Sequence, residues 1–180
     1  MIVRIIKMIN YFGIIYSLKY LMNIIFLIMH RVIGTELIKK NIYNFEMFLL
    51  TKDIGISQAL FLHGQRELQL KYILEEEIKP SYKIIDLGSN IGYYPLIEYN
   101  LLKGDGKIYA MEPSPGNFQL LCKNISYNNA NDLIETFQYA GGEKSGKEKF
   151  YLSTHSNVNT MIPTEYTTGE PSLGVTGNYI

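Results

Sequence analysis

Five residues of one short segment have the types and spacing of a ligand-binding turn. They are Asp86, Gly88, Ser89, Asn90 and Gly92, in the run "KIIDLGSNIGYY", and they follow a short apolar stretch. Glycine permits a tight reversal and the close approach of a ligand to the backbone, because it has no Cβ. A carboxylate at the end of the apolar run accepts hydrogen bonds from an ammonium or hydroxyl group. The pattern therefore predicts a site for a polar small molecule.

A second acidic residue stands where the next predicted strand ends. Glu112 lies twenty residues after Gly92, at the end of "GKIYAMEP". An acid at this position is placed to hold the two hydroxyls of a ribose. The turn and the acid together predict a ligand that contains a nucleoside.

The residues alone leave three interpretations open. A dinucleotide turn needs G-x-G-x-x-G, but the corresponding positions are Gly88, Asn90 and Tyr93, so a pyrophosphate would lack its close backbone approach. S-adenosylmethionine has no phosphate, and the ammonium of its methionine end suits an acidic D-x-G-x-N-x-G turn. The third interpretation is a strand-to-helix turn without a ligand. The pattern favours S-adenosylmethionine.

The elements that must position these residues alternate along the chain. The runs "YKIIDL", "GKIYAMEP" and "LIETFQYA" have the composition of buried strands, and "KEKFYLST" is a fourth, hairpin-like strand. Helical segments lie between the first three, and Pro115 stands in the first turn of the second helix. This alternation predicts βαβ crossovers and a parallel sheet, as in a Rossmann-like doubly wound α/β fold.

The preceding part of the chain is different in character. We expect an apolar helical extension at residues 1–48, a lead-in strand and helix at 49–82, and the ligand-binding domain at 83–180. Arg4, Lys7 and Lys19 fall on one side of a helix, so the extension suits a membrane surface. Packing within the protein or against a partner is the favoured alternative, and a membrane span is the least favoured, because Lys19 divides the apolar run.

Composition limits the function classes. Lysine plus arginine (17) balances aspartate plus glutamate (17), so we expect no nucleic-acid partner. The single cysteine, Cys122, has no partner for an internal disulfide, and the sequence lacks the Cys/His spacing of a metal site. These features indicate a cytoplasmic protein, with membrane-surface contact through the N-terminal segment as an alternative.

Three segments resemble the FkbM family of class I S-adenosylmethionine-dependent methyltransferases. They are "IIDLGSNIGYYPL", "GDGKIYAMEPSPGNFQLLCKNI" and "YAGGEKSGKEKFYLS", and "DIGISQALFLHGQRE" is similar to the lead-in of many members. The resemblance implies S-adenosylmethionine as cofactor and O-methylation of a saccharide or small-molecule hydroxyl. By position it implies that the cofactor is held by Asp86, Gly88, Ser89, Asn90, Gly92, Glu112, Pro113, Ser114, Ala140 and Gly141. Tyr93, which opens the first helix, is a further candidate for cofactor contact.

The family pattern continues with a strand that ends in an Asp-x-Glu-Gly-like motif. No such motif occurs between Ser153 and Ile180. We therefore expect only the N-terminal half of the sheet, with one side of the strand at 84–87 unpaired, in a partial or truncated methyltransferase. The alternatives are a truncated cofactor-binding chain without catalysis and an NAD-dependent oxidoreductase.

The sequence names no catalytic residue. His63, Glu67 and His155 are weak candidates for a role beside the acceptor or cofactor, and for each of them a loop or surface role is favoured. Cys122, in "FQLLCKNI", is best interpreted as a buried, inert thiol.

Overall fold

The structure is a computed structural model that describes residues 13–142, 146–151 and 172–177 of the 180-residue chain. Its central element is a three-stranded parallel sheet. Two helices lie in the connections between the strands, and a helix, a hairpin and two short helices precede the sheet.

The N-terminal part begins with helix α1 (Ile14–Ile33), which ends at Gly34 in the left-handed region (φ 82°). An antiparallel hairpin follows, made of β1 (Leu37–Ile42) and β2 (Phe45–Leu50). The expectation of a helical extension through residue 48 is wrong, because the chain leaves the helix at Gly34 and enters the hairpin, whose inward residues are buried.

Two short helices connect the hairpin to the sheet. Helix α2 (Ile56–His63) begins where the Asp53 carboxylate accepts hydrogen bonds from the backbone N–H groups of Gly55 and Ser57, both at 2.8 Å. Helix α3 (Leu68–Glu77) follows and ends before Pro80, as the sequence predicts.

The sheet consists of β3 (Lys83–Leu87), β4 (Lys107–Met111) and β5 (Ile134–Phe137), all parallel and in the order β3-β4-β5. Helix α4 (Tyr93–Leu102) connects β3 to β4, and α5 (Pro115–Tyr127) connects β4 to β5. Pro115 occupies the first turn of α5, where its missing N–H costs nothing. The predicted α/β fold with a Rossmann-like parallel sheet is confirmed.

The two faces of the sheet differ in exposure. Ile108 and Ala110 are fully buried against the helices, whereas Ile85 and Leu87, on the other face, are 55% and 61% exposed. Within the described ranges β3 pairs only with β4, so its second edge is unpaired, as predicted.

The last described elements form a separate antiparallel pair, β6 (Gly146–Phe150) and β7 (Ser172–Gly177). The predicted fourth strand therefore exists as β6, while the sequence analysis missed β7. The predicted division after residue 48 falls inside β2, and the three domain limits stay a prediction.

Candidate functional site

The turn after β3 is tied to the end of the neighbouring strand. The backbone N–H groups of Gly88 and Ser89 both donate to the Met111 carbonyl, each at 2.9 Å. Gly88 has φ 84° and Asn90 has φ 50°, so both lie in the left-handed region, which glycine and asparagine tolerate best. The sequence adopts this turn because it supplies these two residue types at the two reversal points.

The two glycines of the turn have different roles. A Cβ built on Gly88 would meet no atom of the described residues within 4 Å, so the backbone is open on that side of the turn. A Cβ on Gly92 would lie 3.0 Å from Leu121 Cδ1 on α5. Gly92 is therefore required for close packing against α5.

Glu112 joins the turn to the start of α5. Its Oε2 accepts a hydrogen bond from the Asn90 N–H (2.9 Å), and its Oε1 accepts one from the Ser114 N–H (2.8 Å). The Asn117 side chain also bonds to the carboxylate. Burial raises the pKa of Glu112, and these three bonds oppose that rise. Glu112 stands at the predicted strand end, only 4% exposed, and there it fixes the relative position of two loops.

Two further carboxyl groups belong to the elements on either side of the turn: Asp86 at the end of β3, which is half-buried, and Glu98 on α4, which is buried. Burial raises the pKa of Asp86 from 3.8 to about 6, and its Oδ2 has no hydrogen-bond partner among the described residues. Burial, and then the negative charge of Asp86, raise the pKa of Glu98 on α4 from 4.5 to about 8; within the same part of the chain its Oε2 also lacks a partner. A hydrogen bond with the Ser89 side chain opposes the rise in the pKa of Asp86. In each group the one oxygen without a partner costs free energy unless a ligand or a proton satisfies it.

These features fit the predicted cofactor. Asp86 offers an unsatisfied acceptor that is ionised near pH 7, and the ammonium and ribose hydroxyls of S-adenosylmethionine are donors. The open space at Gly88 leaves the backbone accessible on the same turn. The donor set of the ligand and the acceptor set of the turn are therefore complementary.

The remaining predicted residues lie around this turn or below it. Ser89 is 3% exposed, and its hydroxyl donates to the Asp86 carbonyl at 3.0 Å. Pro113 is half-buried, and the buried Ser114 precedes α5. Ala140 is half-buried and Gly141 is exposed; a Cβ on Gly141 would lie 3.3 Å from Leu87 Cδ1. The chain after β5 thus returns to the end of β3, and a cofactor contact of Ala140 and Gly141 stays a prediction.

Tyr93 lies in the core. It is fully buried, and its hydroxyl accepts a hydrogen bond from the Arg66 N–H (3.1 Å) and donates to the Arg66 carbonyl (3.0 Å). In this structure Tyr93 therefore fixes the segment before α3, and its hydroxyl is engaged there.

The weaker candidates occupy structural positions. His63 ends α2, and its Nδ1 is 2.7 Å from the Tyr16 hydroxyl. Glu67 pairs with Arg66 at 2.8 Å and accepts a hydrogen bond from the Tyr94 hydroxyl. Cys122 is half-buried, with its Sγ 3.4 Å from Thr136 Oγ1. His155 lies outside the described residues.

The sequence analysis missed two buried asparagines of α5. Asn117 bonds to Glu112, and Asn124 is fully buried. The Asn124 amide donates to the carbonyls of Ile91 (2.8 Å) and Phe48 (3.2 Å), and its Oδ1 accepts from the Phe48 N–H (2.7 Å). An asparagine inside the apolar run "LLCKNI" was the available signal, because a buried amide needs partners.

No protein-family model and no curated protein matches the chain. Solved structures with similar folds include Methanocaldococcus jannaschii Trm5 in complex with adenosine (17% identity, TM-score 0.44, covering 57% of this chain and 29% of that one). Another is M. jannaschii TYW2 in complex with AdoMet, with 20% identity and a TM-score of 0.47. That match covers 57% of this chain and 42% of the other. A third is the complex of aTrm5 and tRNALeu, with 18% identity and a TM-score of 0.43. That match covers 57% of this chain and 28% of the other.

The chain spans less than half the length of each of these three structures. Their AdoMet and adenosine ligands agree with the cofactor expected from the turn at Asp86.

The tRNA complex corrects the predicted partners. The sequence analysis excluded nucleic acid and named a saccharide or small-molecule acceptor, whereas the similar structures include an enzyme with bound tRNA. The exclusion was wrong in its reasoning, because a balanced total charge says nothing about the local distribution of charge.

Proposed function

We propose that the chain is the cofactor-binding part of an S-adenosylmethionine-dependent methyltransferase. The observation that carries the proposal is the turn after β3, where the unsatisfied Asp86 Oδ2 and the open backbone at Gly88 occur together. Glu112 holds this turn against the start of α5 through the Asn90 and Ser114 N–H groups.

The residues of the chain bind and orient the cofactor in this proposal. Asp86 accepts hydrogen bonds from the ligand, while Glu112 fixes the two loops between which the nucleoside lies. Bound S-adenosylmethionine supplies an electrophilic methyl group on its sulfonium. Most of the acceleration of such a transfer comes from holding the acceptor at attack distance, so precise positioning of the loops is the main contribution of these residues.

Membership of the FkbM family is part of the proposal. It is supported by the segments at 84–96, 104–125 and 139–153, which contain the turn, Glu112 and the return of the chain to β3 at Gly141. The acceptor is open to experiment.

Calorimetric titration of the purified chain tests cofactor binding. We expect S-adenosylhomocysteine to bind with a micromolar dissociation constant and NAD to produce no heat beyond dilution. Binding of NAD in the absence of binding of S-adenosylhomocysteine would defeat the proposal in favour of the oxidoreductase.

Catalysis is tested separately by transfer of labelled methyl. The purified chain is incubated with labelled S-adenosylmethionine and a panel of acceptors that includes transfer RNA, ribosomal RNA and protein. Binding of the cofactor without transfer to any acceptor would support the second candidate, a chain that binds the cofactor without catalysing transfer.

A further inference from the structure

Helix α1 has its apolar side facing outward. Eleven of its apolar side chains are at least 39% exposed, and the most exposed are Val32 (82%), Ile15 and Ile33 (each 69%) and Met22 (68%). At 100° per residue all eleven fall on one half of the helix, which we call the outer face. Lys19, the one charged residue on this half, lies at its margin. An exposed apolar surface of this extent marks an interaction site.

The other half of α1 contacts the protein through the buried Leu27 and through several polar groups, and Phe26, near the edge of the outer face, stacks on Phe61 with ring centroids 6.1 Å apart. The Tyr16 hydroxyl is 2.7 Å from His63 Nδ1, and the Asn23 amide donates to the Leu62 carbonyl at 3.1 Å. Near the C-terminal end of the helix, Arg31 donates to the Thr51 carbonyl (2.6 Å) and to Gln58 Oε1 (2.8 Å). A surface helix of a soluble protein has the reverse arrangement, with its apolar side inward.

The charges of the N-terminal segment indicate which kind of surface the outer face binds. Residues 1–35 contain Arg4, Lys7, Lys19 and Arg31 and no acidic residue; the first acid of the chain is Glu36. Of these four, Arg31 is engaged with Thr51 and Gln58, and Lys19 lies beside the outer face. A segment that carries basic and no acidic residues and includes an exposed apolar helix face is typical of a helix that binds an anionic lipid surface. Lysine at the margin of such a face extends its ammonium to the headgroups.

The polar contacts of α1 favour a helix that lies in the plane of a membrane surface over a helix that crosses the membrane. By length and composition α1 is the one described helix that could span a bilayer. Its polar contacts, however, run from Tyr16 to Arg31 and hold its whole length beside α2. A span would require all of them to break, whereas an interfacial orientation keeps every one.

We propose that the outer face of α1 docks the protein on an anionic membrane surface, with the helix axis in the plane of the interface. The apolar side chains enter the boundary between headgroups and acyl chains, and the α/β body stays on the aqueous side. This proposal does not depend on the cofactor or on methyl transfer.

Flotation of the full chain with vesicles tests the proposal. We expect the chain to float with phosphatidylcholine vesicles that contain about one third phosphatidylglycerol, and more weakly with phosphatidylcholine alone or at high salt. The double variant M22D/I25D places two charges on the outer face, and we expect its partition coefficient to fall at least about tenfold. The matched control is Y72D/I73D on α3, whose side chains are similarly exposed (60% and 54%) and which we expect to float as the wild type does.

Circular dichroism checks that both double variants fold. If M22D/I25D does not fold, single cysteines labelled with an environment-sensitive fluorophore replace it, in a Cys122→Ser background. We expect a blue shift on vesicle addition for the label at Met22→Cys and none at Tyr72→Cys.

Three results would overturn the proposal. The first is no flotation of the wild type, and the second is equal loss of flotation in the outer-face variant and the control. The third is a dimer in sedimentation experiments that M22D/I25D dissociates while vesicles bind neither form, which would make the outer face a contact between copies of the chain.

Discussion

At the scale of single residues, the site depends on three carboxyl groups in three environments. Glu112 is buried and bonded to backbone N–H groups, Asp86 is partly buried with one unsatisfied oxygen, and Glu98 is buried on α4. Sequence spacing predicted the positions of the first two, because strand ends can be read from an apolar run and its glycine turn. It missed Glu98, since a glutamate in an apolar helix has no spacing rule that relates it to Asp86.

Asp86 makes cofactor affinity depend on pH. Its pKa is about 6, and an ammonium binds the ionised form, so affinity is full above the pKa and decreases as pH falls through it. We expect S-adenosylhomocysteine to bind about tenfold more weakly at about pH 5 than at about pH 7.5, as measured by calorimetry. Asp86→Asn should bind weakly at both values, about tenfold or more below the wild type, and Glu135→Gln, on the exposed side of β5, should behave as the wild type. Affinity that rises on acidification would contradict the role of Asp86.

Glu98 contributes less to the free energy of unfolding as pH rises, whereas a carboxylate paired with a cation contributes more. Its pKa in the folded chain is about 8, above the ordinary 4.5, so the folded state holds the proton more tightly than the unfolded state. The contribution of Glu98 to the free energy of unfolding is therefore fully present below about pH 4.5 and is lost as pH rises through about pH 8. We expect Glu98→Gln to raise this free energy by about 2 kcal/mol at about pH 8.5, and to change it little at about pH 4.5, in urea unfolding. The same gain at both values would show that ionisation of Glu98 is not the cause.

At the scale of elements, α5 connects the turn to the N-terminal hairpin. Asn124 and Asn128, one helical turn apart, bond to both the N–H and the C=O of Phe48 and of Glu46, respectively. The two amides thus pair with the free edge of β2 as a further strand would. The helix itself was predictable from Pro115 and its apolar spacing, but its contact with β2 was not, because that contact joins residues 76 apart in sequence.

Asn124 should be the most sensitive position of this connection. Asn124→Leu keeps the size of the side chain but leaves the Phe48 N–H and C=O and the Ile91 C=O without their bonds in a buried place. We expect a loss of about 3 kcal/mol in the free energy of unfolding, measured by urea denaturation. Asn44→Ala, at an exposed amide pair with Asn100, should cost less than about 0.5 kcal/mol. Equal losses in the two variants would contradict a special role for Asn124.

At the scale of the whole molecule, the parallel sheet and its helices could be predicted and the N-terminal part could not. Short apolar runs ended by glycine and separated by helical spacing specify βαβ units locally. The N-terminal residues gave no such rule, because the chain passes from α1 to the hairpin within the three residues 34–36, and apolar residues continue on both sides of them. The outward orientation of the apolar side of α1 also required the structure, since sequence periodicity does not say which side meets the protein.

The central claim is that S-adenosylmethionine binds at the turn after β3, and photochemical cross-linking with S-adenosylmethionine labelled on its methyl group tests it most directly. Trypsin cleaves after Lys83, Lys103, Lys107 and Lys123, which places the turn in residues 84–103 and Glu112 in 108–123. We predict that label enters one or both of these peptides and disappears when excess S-adenosylhomocysteine is present. Label that resists this competition, or that enters only residues before 80, would contradict the account.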